Sequence, residues 1–400
     1  MKMGIRIICW FTDKLLNLAQ SASIFQRREI GLSFFSNRTI KPFFAFIFFM
    51  ILSNEMIAQA PQEIYKQRID TLNKNVYKYF YDSANGLYYE TNHVQPGEKK
   101  HSYLWPLCAL IQAANEEEKL FPNKDYMTPA MKAVAQYHST IPPVPAYQAY
   151  VTKEEKDSRF YDDNQWIAIA CLDVYNRTKN QKYLHIAKEI YHFMMTGYDT
   201  LSAGGLYWKE DEKNSKNTCS NGPGILIALE LFKITDQQNY LDTALVLYNW
   251  VNVHLQSPQG LYYDNIKIPS LKIDSAIYTY NTGTMLQSNV ILYQITKNIK
   301  YLKEAQRIAS AAEKFFYKND KLPGNYWFNA VLLRGEIALY RLDKNKAHIQ
   351  YFIDDANRIW NEERENGMIG KKGKRKRLID QAAMIEIYAR LAELLSNKNT

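Results

Sequence analysis

The chain is poor in cysteine and histidine. Its 400 residues include four cysteines and seven histidines. The cysteines after residue 60 are Cys108, Cys171 and Cys219, an odd number without paired spacing, which excludes a disulfide framework and a zinc site. Cys108 and Cys171 lie in apolar helical stretches, so we expect them to be buried as small hydrophobic residues. No metal-binding constellation is present, and Gly222-Pro223-Gly224 lacks the spacing and lysine of a phosphate-binding loop. The sequence predicts neither a metal nor a cofactor.

Long hydrophobic runs are also lacking. The longest, residues 42–52, has eleven residues, whereas a membrane-spanning helix needs about 20. It follows basic residues and precedes the small-x-small step Ala58-Gln59-Ala60. This pattern predicts a signal peptide within a leader of residues 1–60, cleaved near 58–60, and hence a secreted or periplasmic protein. The basic stretch ahead of the run is unusually long, so we expect translation to start downstream of Met1. No cysteine follows the run closely, so a lipoprotein anchor is not expected.

The body of the chain has little surplus charge, although the formal net charge is +9. Residues 1–60 hold seven Lys and Arg against three acidic residues, and residues 371–377 hold six more. The remainder is close to neutral, which argues against a nucleic-acid partner. We interpret 371–377 as a solvated basic loop.

Aromatic residues, by contrast, are abundant. The chain has 30 Tyr, 18 Phe and 7 Trp. Such rings stack and hydrogen-bond, which suits carbohydrate, although most are expected to pack in the core.

After residue 60 the apolar periodicity is helical, and two classes of segment alternate. Amphipathic segments alternate with segments that are apolar on most faces. We interpret this as a single all-α domain over 61–400, an (α/α)6 toroid in which six outer helices surround six inner ones. An open solenoid is the alternative. A Gly-Leu-Tyr element recurs at residues 86–89, 205–208 and 260–263 and predicts short strands on one rim, or ordinary turns. The amphipathic segments are 62–80, 123–138, 180–194, 237–251, 298–316 and 344–362, and the apolar ones are 101–114, 162–175, 221–234, 281–295, 326–340 and 380–394.

In this arrangement the starts of the inner helices meet at one end of the ring. Aromatic and amide side chains dominate these starts, so we expect a sugar-binding site there. The predicted substrate-binding residues are Trp105, Trp166, Tyr207, Trp208, Asn221, Tyr280, Asn281 and Trp327, with Trp166 the best stacking candidate.

Asp162 and Asp163 are the adjacent carboxylates among these starts. Glycoside cleavage needs two carboxyl groups, roughly 5–5.5 Å apart in retaining enzymes, a spacing that neighbours on a helix start can meet. Repulsion between them would leave one ionised and one protonated, although a helix N-terminus would lower both pKa values. We assign the nucleophile to Asp162 and the acid to Asp163. Alternatively, one of them only caps the helix.

Four motifs, in this order, resemble glycoside hydrolase family 76, the secreted α-1,6-mannanases. They are SYLWP (102–106), YDDNQW (161–166), NTCSNGP (217–223) and YTYNTGT (278–284). The resemblance implies the (α/α)6 fold, retention, and cleavage of α-1,6-mannan, with the first Asp of the pair as nucleophile and the second as acid/base.

We therefore predict a secreted, retaining endo-α-1,6-mannanase, and two other classes of protein are the alternatives. A non-catalytic mannan-binding protein would keep the aromatic residues without needing both carboxylates. Another toroid sugar enzyme, a transglycosidase or an epimerase, would keep the fold and change the chemistry. We expect a monomer whose partner is α-mannan or its oligosaccharides, with no stable membrane span.

Overall fold

A computed structural model describes residues 61–396. The predicted leader and its apolar core at 42–52 lie outside the described residues. Between 61 and 396, no helix combines the length and hydropathy needed to cross a membrane. The chain there forms twelve α-helices: α1 (Pro61–Tyr79), α2 (Leu104–Leu120), α3 (Met127–Val134), α4 (Tyr161–Thr178), α5 (Gln181–Met195), α6 (Thr218–Thr235), α7 (Gln238–His254), α8 (Thr279–Thr296), α9 (Ile299–Phe316), α10 (Tyr326–Asp343), α11 (Ala347–Glu362) and α12 (Leu378–Ser396).

The even-numbered helices form a closed inner ring. Each contacts the next, and α12 returns to contact α2. Each odd-numbered helix from α3 onward packs outside the preceding even one, and α1 packs on α12. The prediction of an (α/α)6 toroid is confirmed, and the open solenoid is excluded because the ring closes.

The burial pattern explains why each helix takes its layer. In α9 the buried residues include Tyr301, Ala305, Ile308 and Ala312, which recur every three or four positions and form one apolar stripe. In α8 the buried residues form nearly continuous runs, such as those from Asn281 to Leu286, so that helix is enclosed on most faces. Outer and inner helices therefore differ in sequence for a physical reason.

Glycine sets the closest approach within the ring, between α8 and α10. A Cβ added to Gly283 would lie 2.6 Å from the Cα of Leu332, and one added to Gly335 would lie 2.8 Å from the carbonyl oxygen of Gly283. Only residues without a side chain allow this backbone contact.

Short turns connect four inner helices to the outer helices that follow. Lys179, Asp236, Lys297 and Lys344 end α4, α6, α8 and α10 in the left-handed conformation, with φ of 59°, 56°, 56° and 58°. Each donates its amide hydrogen to a carbonyl one turn back. A left-handed C-cap reverses the chain within one or two residues, which leaves the long links at the opposite end of the ring.

The long links carry short antiparallel strands. Two of the predicted Gly-Leu-Tyr elements contribute to strands: Leu87–Tyr88 is a strand, and Tyr263 begins another. In the third, Leu206 and Tyr207 form single bridges. The strands are β1 (Tyr81–Asp82), β2 (Leu87–Tyr88), β3 (His138–Ser139), β4 (Ala146–Tyr147), β5 (Ser215–Asn217), β6 (Tyr263–Lys267), β7 (Ile273–Ile277), β8 (Arg364–Glu365) and β9 (Met368–Ile369), paired as β1-β2, β3-β4, β5-β6-β7 and β8-β9.

Amide side chains fasten this rim to the inner helices. Asn164 of α4 accepts from the amide of Tyr147 and donates to its carbonyl, both at 2.8 Å. Asn221 of α6 makes the same pair of bonds with Leu206, at 2.8 and 3.0 Å. Gln381 of α12 does so with Ile369, both at 2.8 Å. Each side-chain amide therefore makes the two backbone hydrogen bonds that a neighbouring strand would make, and it fixes one rim segment.

The basic run at 371–377 is only partly the solvated loop that we predicted. Arg375 makes two hydrogen bonds to Glu98, at 2.6 and 2.8 Å. Lys376 is buried and pairs with Glu365 at 2.8 Å, and Arg377 pairs with Asp380 at 2.7 Å. Three of the six basic side chains are therefore paired with carboxylates, and these ion pairs anchor the loop against the rim.

Candidate active site

A cavity of about 850 Å³ opens where the inner helices begin. Its size is that of a pocket for a small molecule or a short oligosaccharide. Aromatic, carboxylate and amide side chains line it, together with one thiol and one ammonium: Tyr103, Trp105, Asp157, Phe160, Asp162, Asp163, Trp166, Trp208, Glu212, Asn214, Asn217, Cys219, Asp264, Asn265, Lys267, Asp274, Tyr278, Tyr280, Trp327 and Phe328.

Asp162 and Asp163 lie side by side in this lining, in the first turn of α4. The N-cap position is Phe160, so neither aspartate occupies it. The alternative interpretation of the pair as an N-cap is therefore wrong, and both carboxyl groups remain available to the cavity.

The link around Trp208 holds the start of α4 in place. Tyr161 donates its amide hydrogen to the carbonyl of Trp208 at 3.0 Å, and Trp208 donates its own to Ser215 at 3.1 Å. The indole Nε1 of Trp208 donates to Oδ2 of Asp162 at 3.1 Å. Oδ1 of Asp162 is buried and has no hydrogen-bond partner among the described residues. One oxygen of this carboxylate is thus held while the other is unengaged, an unusual state for a buried polar atom.

The two carboxyl groups lie in different electrostatic environments. Burial raises the pKa of Asp162 to about 6, and the Cys219 thiol and the Trp208 indole limit the rise by stabilising the anion. Burial raises the pKa of Asp163 well above its ordinary value, and the charges of Asp162 and Asp157 raise it further. Asp162 is therefore the group that ionises first, while Asp163 keeps its proton. The assignment of Asp162 as nucleophile and Asp163 as acid stays a prediction.

The floor of the cavity is a tryptophan cluster. The Trp327 ring lies 6.0 Å from Trp105 and 5.4 Å from Trp166, the latter edge to face. Trp166 is only 2% exposed and Trp327 only 4%. Trp166 was our best candidate for a stacking platform; we correct this, because it reaches the cavity with almost no exposed surface.

The exposed rings are on the walls. Trp208 is 38% exposed and lies 5.0 Å from Phe160. Tyr278, which directly precedes α8, is 41% exposed. The neighbouring Tyr280 stacks on Phe328, with 3.9 Å between the ring centroids. A sugar face can therefore contact Trp208 or Tyr278 without repacking the core.

Three other predicted substrate-binding residues are absent from the lining. Tyr207 is buried beneath the Lys216 ammonium, which lies 4.7 Å from its ring centroid. Asn221 is fully buried because its amide binds Leu206, as described above. Asn281 is also fully buried and reaches only the cavity-lining Asp264, at 3.4 Å. We correct their roles from sugar contacts to support of the rim.

Asp264, on β6, is a lining residue without a sequence signal of its own. Burial raises its pKa, and the amides of Asn265 and Asn281 limit the rise. It belongs to β6, and the pairing of β6 with β5 and β7 brings it to the cavity. The lining has several acidic residues and a single basic one, Lys267. The cavity therefore favours neutral or cationic ligands over anions.

Metal ligation has no support among residues 61–396. No group of three or more His, Cys, Asp or Glu side chains is arranged there to hold an ion. Cys108, Cys171 and Cys219 are buried free thiols, as expected for the first two.

Comparison with known proteins identifies the family of the chain. The family model described as glycosyl hydrolase family 76 matches residues 56–332. The chain belongs to glycosyl hydrolase family 76. This family 76 domain includes the Asp162-Asp163 pair and Asp264, whereas α11 and α12, which close the ring, follow the matched range.

Curated relatives match a smaller part of the family 76 chain. It is 30% identical over 185 residues to a mannan endo-1,6-alpha-mannosidase of Saccharomyces cerevisiae, which covers 42% of this chain and 41% of the yeast protein. The chain thus spans about two fifths of the length of that relative.

Solved structures match the fold more completely. A family 76 glycoside hydrolase from a bovine Bacteroides thetaiotaomicron strain is 26% identical, with a TM-score of 0.77 over 84% of this chain and 78% of that one. A family 76 mannosidase from Bacteroides thetaiotaomicron is 26% identical, with a TM-score of 0.75 over 84% of this chain and all of that one, a coverage of 100%. The predicted family and fold are confirmed.

Proposed function

We propose that this protein is a secreted, retaining glycoside hydrolase that cleaves α-1,6-mannosidic linkages within mannan. The observation that carries the proposal is the consecutive pair Asp162 and Asp163 in one cavity, with one carboxyl group poised to ionise before the other. Two carboxyl groups with separated pKa values are the minimum equipment for glycoside cleavage. The substrate class is suggested by the name of the yeast relative and by the exposed rings of the walls.

The first chemical step uses both groups at once. Asp163 donates its proton to the glycosidic oxygen, and the Asp162 carboxylate attacks the anomeric carbon. The bond from that carbon to the leaving oxygen breaks, and an ester to Asp162 forms.

The second step restores the enzyme. The Asp163 carboxylate accepts a proton from water, which attacks the same carbon and releases Asp162. Two inversions give net retention. Trp208 would stabilise Asp162 as a leaving group in this step, since its indole donates to the charged form.

The proposal is tested on linear α-1,6-mannan with Asp162→Asn and Asp163→Asn. Each is expected to lower kcat/KM by about 10³-fold or more. Asp354→Asn is the matched control, since Asp354 is an exposed member of an Asp-Asp pair on α11 that accepts only from Gln350. Near-wild-type turnover of both site variants would refute the mechanism.

Stereochemistry and rescue separate the roles of the two groups. NMR of the first-formed product should show the α-anomer. With an activated aryl α-mannoside, azide should rescue Asp163→Ala and yield the α-mannosyl azide, because the ester to Asp162 still forms. The β-anomer as first product would instead indicate single-step inversion. Binding without product release from any α-mannan would favour the non-catalytic alternative.

Export is a separate part of the proposal. It is supported by the run at 42–52 and the Ala58-Gln59-Ala60 step. N-terminal sequencing of protein recovered outside the cytoplasm should begin near residues 59–61, and an unprocessed protein retained in the cytoplasm would exclude export.

A further inference from the structure

A second hollow lies beside the catalytic cavity. It has a volume of about 320 Å³ and is lined by Glu90, Thr91, Val94, Glu98, Lys99, His101, Tyr103 and Arg375. We call it the side pocket. Tyr103 lines both the side pocket and the catalytic cavity, so the two hollows adjoin at this residue.

The charges of the side pocket balance. Two carboxylates, Glu90 and Glu98, face one ammonium and one guanidinium, Lys99 and Arg375. Arg375 is held by both oxygens of Glu98, and Lys99 is paired with Glu155 outside the pocket. The pocket therefore offers hydrogen-bonding groups without an unpaired positive charge for an anion.

Its polar groups are held in place from behind. Oε2 of Glu90 accepts the amide hydrogen of Tyr103 at 3.1 Å, which ties the carboxylate to the dividing residue. The His101 ring is fixed between Asp82 and Glu154 and stacks on Tyr89 at 5.9 Å. The Tyr103 ring packs against Tyr150 at 5.5 Å. These contacts make the walls preorganised, which lowers the cost of binding a ligand.

We propose that the side pocket binds one neutral hexose unit carried as a branch on the polysaccharide chain that occupies the catalytic cavity. Its volume suits a single sugar ring rather than a chain, and its paired charges suit hydroxyl groups. The shared wall at Tyr103 places such a unit within reach of a main chain in the cavity. This inference rests on the proposed function for the identity of the main chain.

The test compares linear α-1,6-mannan oligosaccharides with ones that carry single mannosyl branches. Val94→Trp fills the side pocket from a loop, and Val253→Trp on α7 is the matched control at a position that is 77% exposed. We expect Val94→Trp to lower the ratio of kcat/KM for branched over linear substrate at least tenfold, and Val253→Trp to leave that ratio in place. An equal effect of Val94→Trp on both substrates would overturn the proposal.

Calorimetry distinguishes this result from failure of the proposed function. In the Asp162→Asn, Asp163→Asn background, branched oligosaccharide should bind more tightly than linear, and Val94→Trp should abolish the difference. If the wild type hydrolyses neither substrate but this difference is present, the side pocket stands and the proposed function fails. Equal binding of both oligosaccharides overturns the side pocket.

A free hexose is the other source of the same chemistry. Methyl α-mannoside added to the linear reaction should leave the rate unchanged if the unit binds only as a branch. Saturable activation or inhibition that Val94→Trp removes would show that the pocket takes free sugar instead.

Discussion

The indole Nε1 of Trp208 donates a 3.1 Å hydrogen bond to Oδ2 of Asp162. The donor residue belongs to the link between α5 and α6, and the acceptor belongs to α4. A rim segment thus helps to stabilise the anion of a group on an inner helix. The backbone bond from Tyr161 to Trp208 keeps the two segments in register.

Trp208→Phe should move the acid limb of the kcat/KM profile to higher pH. The wild-type limb is expected near pH 6, the pKa of Asp162. Without the indole donor the anion is less stable, so the pKa rises and the rate at pH 6 should fall by about three- to tenfold. Tyr278→Phe is the control, because Tyr278 lines the same cavity: it should leave the limb in place, whatever its effect on KM. A Trp208→Phe limb that coincides with wild type would show that the bond does not tune Asp162.

Asp162→Asn should stabilise the fold at neutral pH. The folded-state pKa is about 6 and the ordinary value is 3.8, so the folded protein holds this proton more tightly than the unfolded chain. The penalty for ionisation is absent below pH 3.8 and is fully present above about pH 6. We expect the variant to gain about 1–3 kcal/mol at pH 8 and about half as much at pH 5. Chemical denaturation at both pH values measures this, and a pH-independent difference would contradict it.

Gly283→Ala should destabilise the ring. The added Cβ would meet the backbone of Leu332, which cannot move without separating α8 from α10. We expect a loss of about 1–3 kcal/mol in the free energy of unfolding. Gly324→Ala is the matched control, since nothing lies within 4 Å of its added Cβ. Comparable denaturation midpoints for the two variants would refute the close contact.

Asn221→Ala should lower stability more than it lowers affinity for substrate. The change leaves both backbone groups of Leu206 without their partner, at a cost of about 2–4 kcal/mol. Asn180→Ala is a useful comparison, because that exposed asparagine only caps α5. Should Asn221→Ala instead raise KM with stability intact, the side chain would be a sugar contact after all.

The apolar periodicity of the sequence was sufficient to locate the helices, because outer helices of a two-layer ring bury one face and inner helices bury most faces. Each inner start, predicted at 101, 162, 221, 281, 326 and 380, lies within three residues of the observed one. Segment 123–138 is shorter than predicted: its α-helix covers only Met127–Val134, and a turn of 3₁₀ helix follows.

The site was less predictable than the helices. Asp162 and Asp163 were identifiable because both belong to one helix start. Asp264 was not, since strand pairing between distant links brings it to the cavity. Asn221 was misassigned because an amide at a helix start looks the same whether it binds sugar or backbone. Trp166 was misassigned because a helical face gives no indication of which other ring will cover it.

The contact of α12 with α1 and α2 also constrains how the protein is made. Residues 378–396 are the last of the described helices to leave the ribosome, yet they complete the packing of the first two. Until they emerge, α1 and α2 expose apolar surface that later packs against α12, and about 300 residues of chain must be kept from aggregating. The same contact places residues 61 and 396 on neighbouring helices. In a circular permutant that joins these helices and opens the chain at an exposed turn, such as Lys179, α1 and α2 should therefore pack against an α12 already made, and α4 becomes the last helix to close the ring.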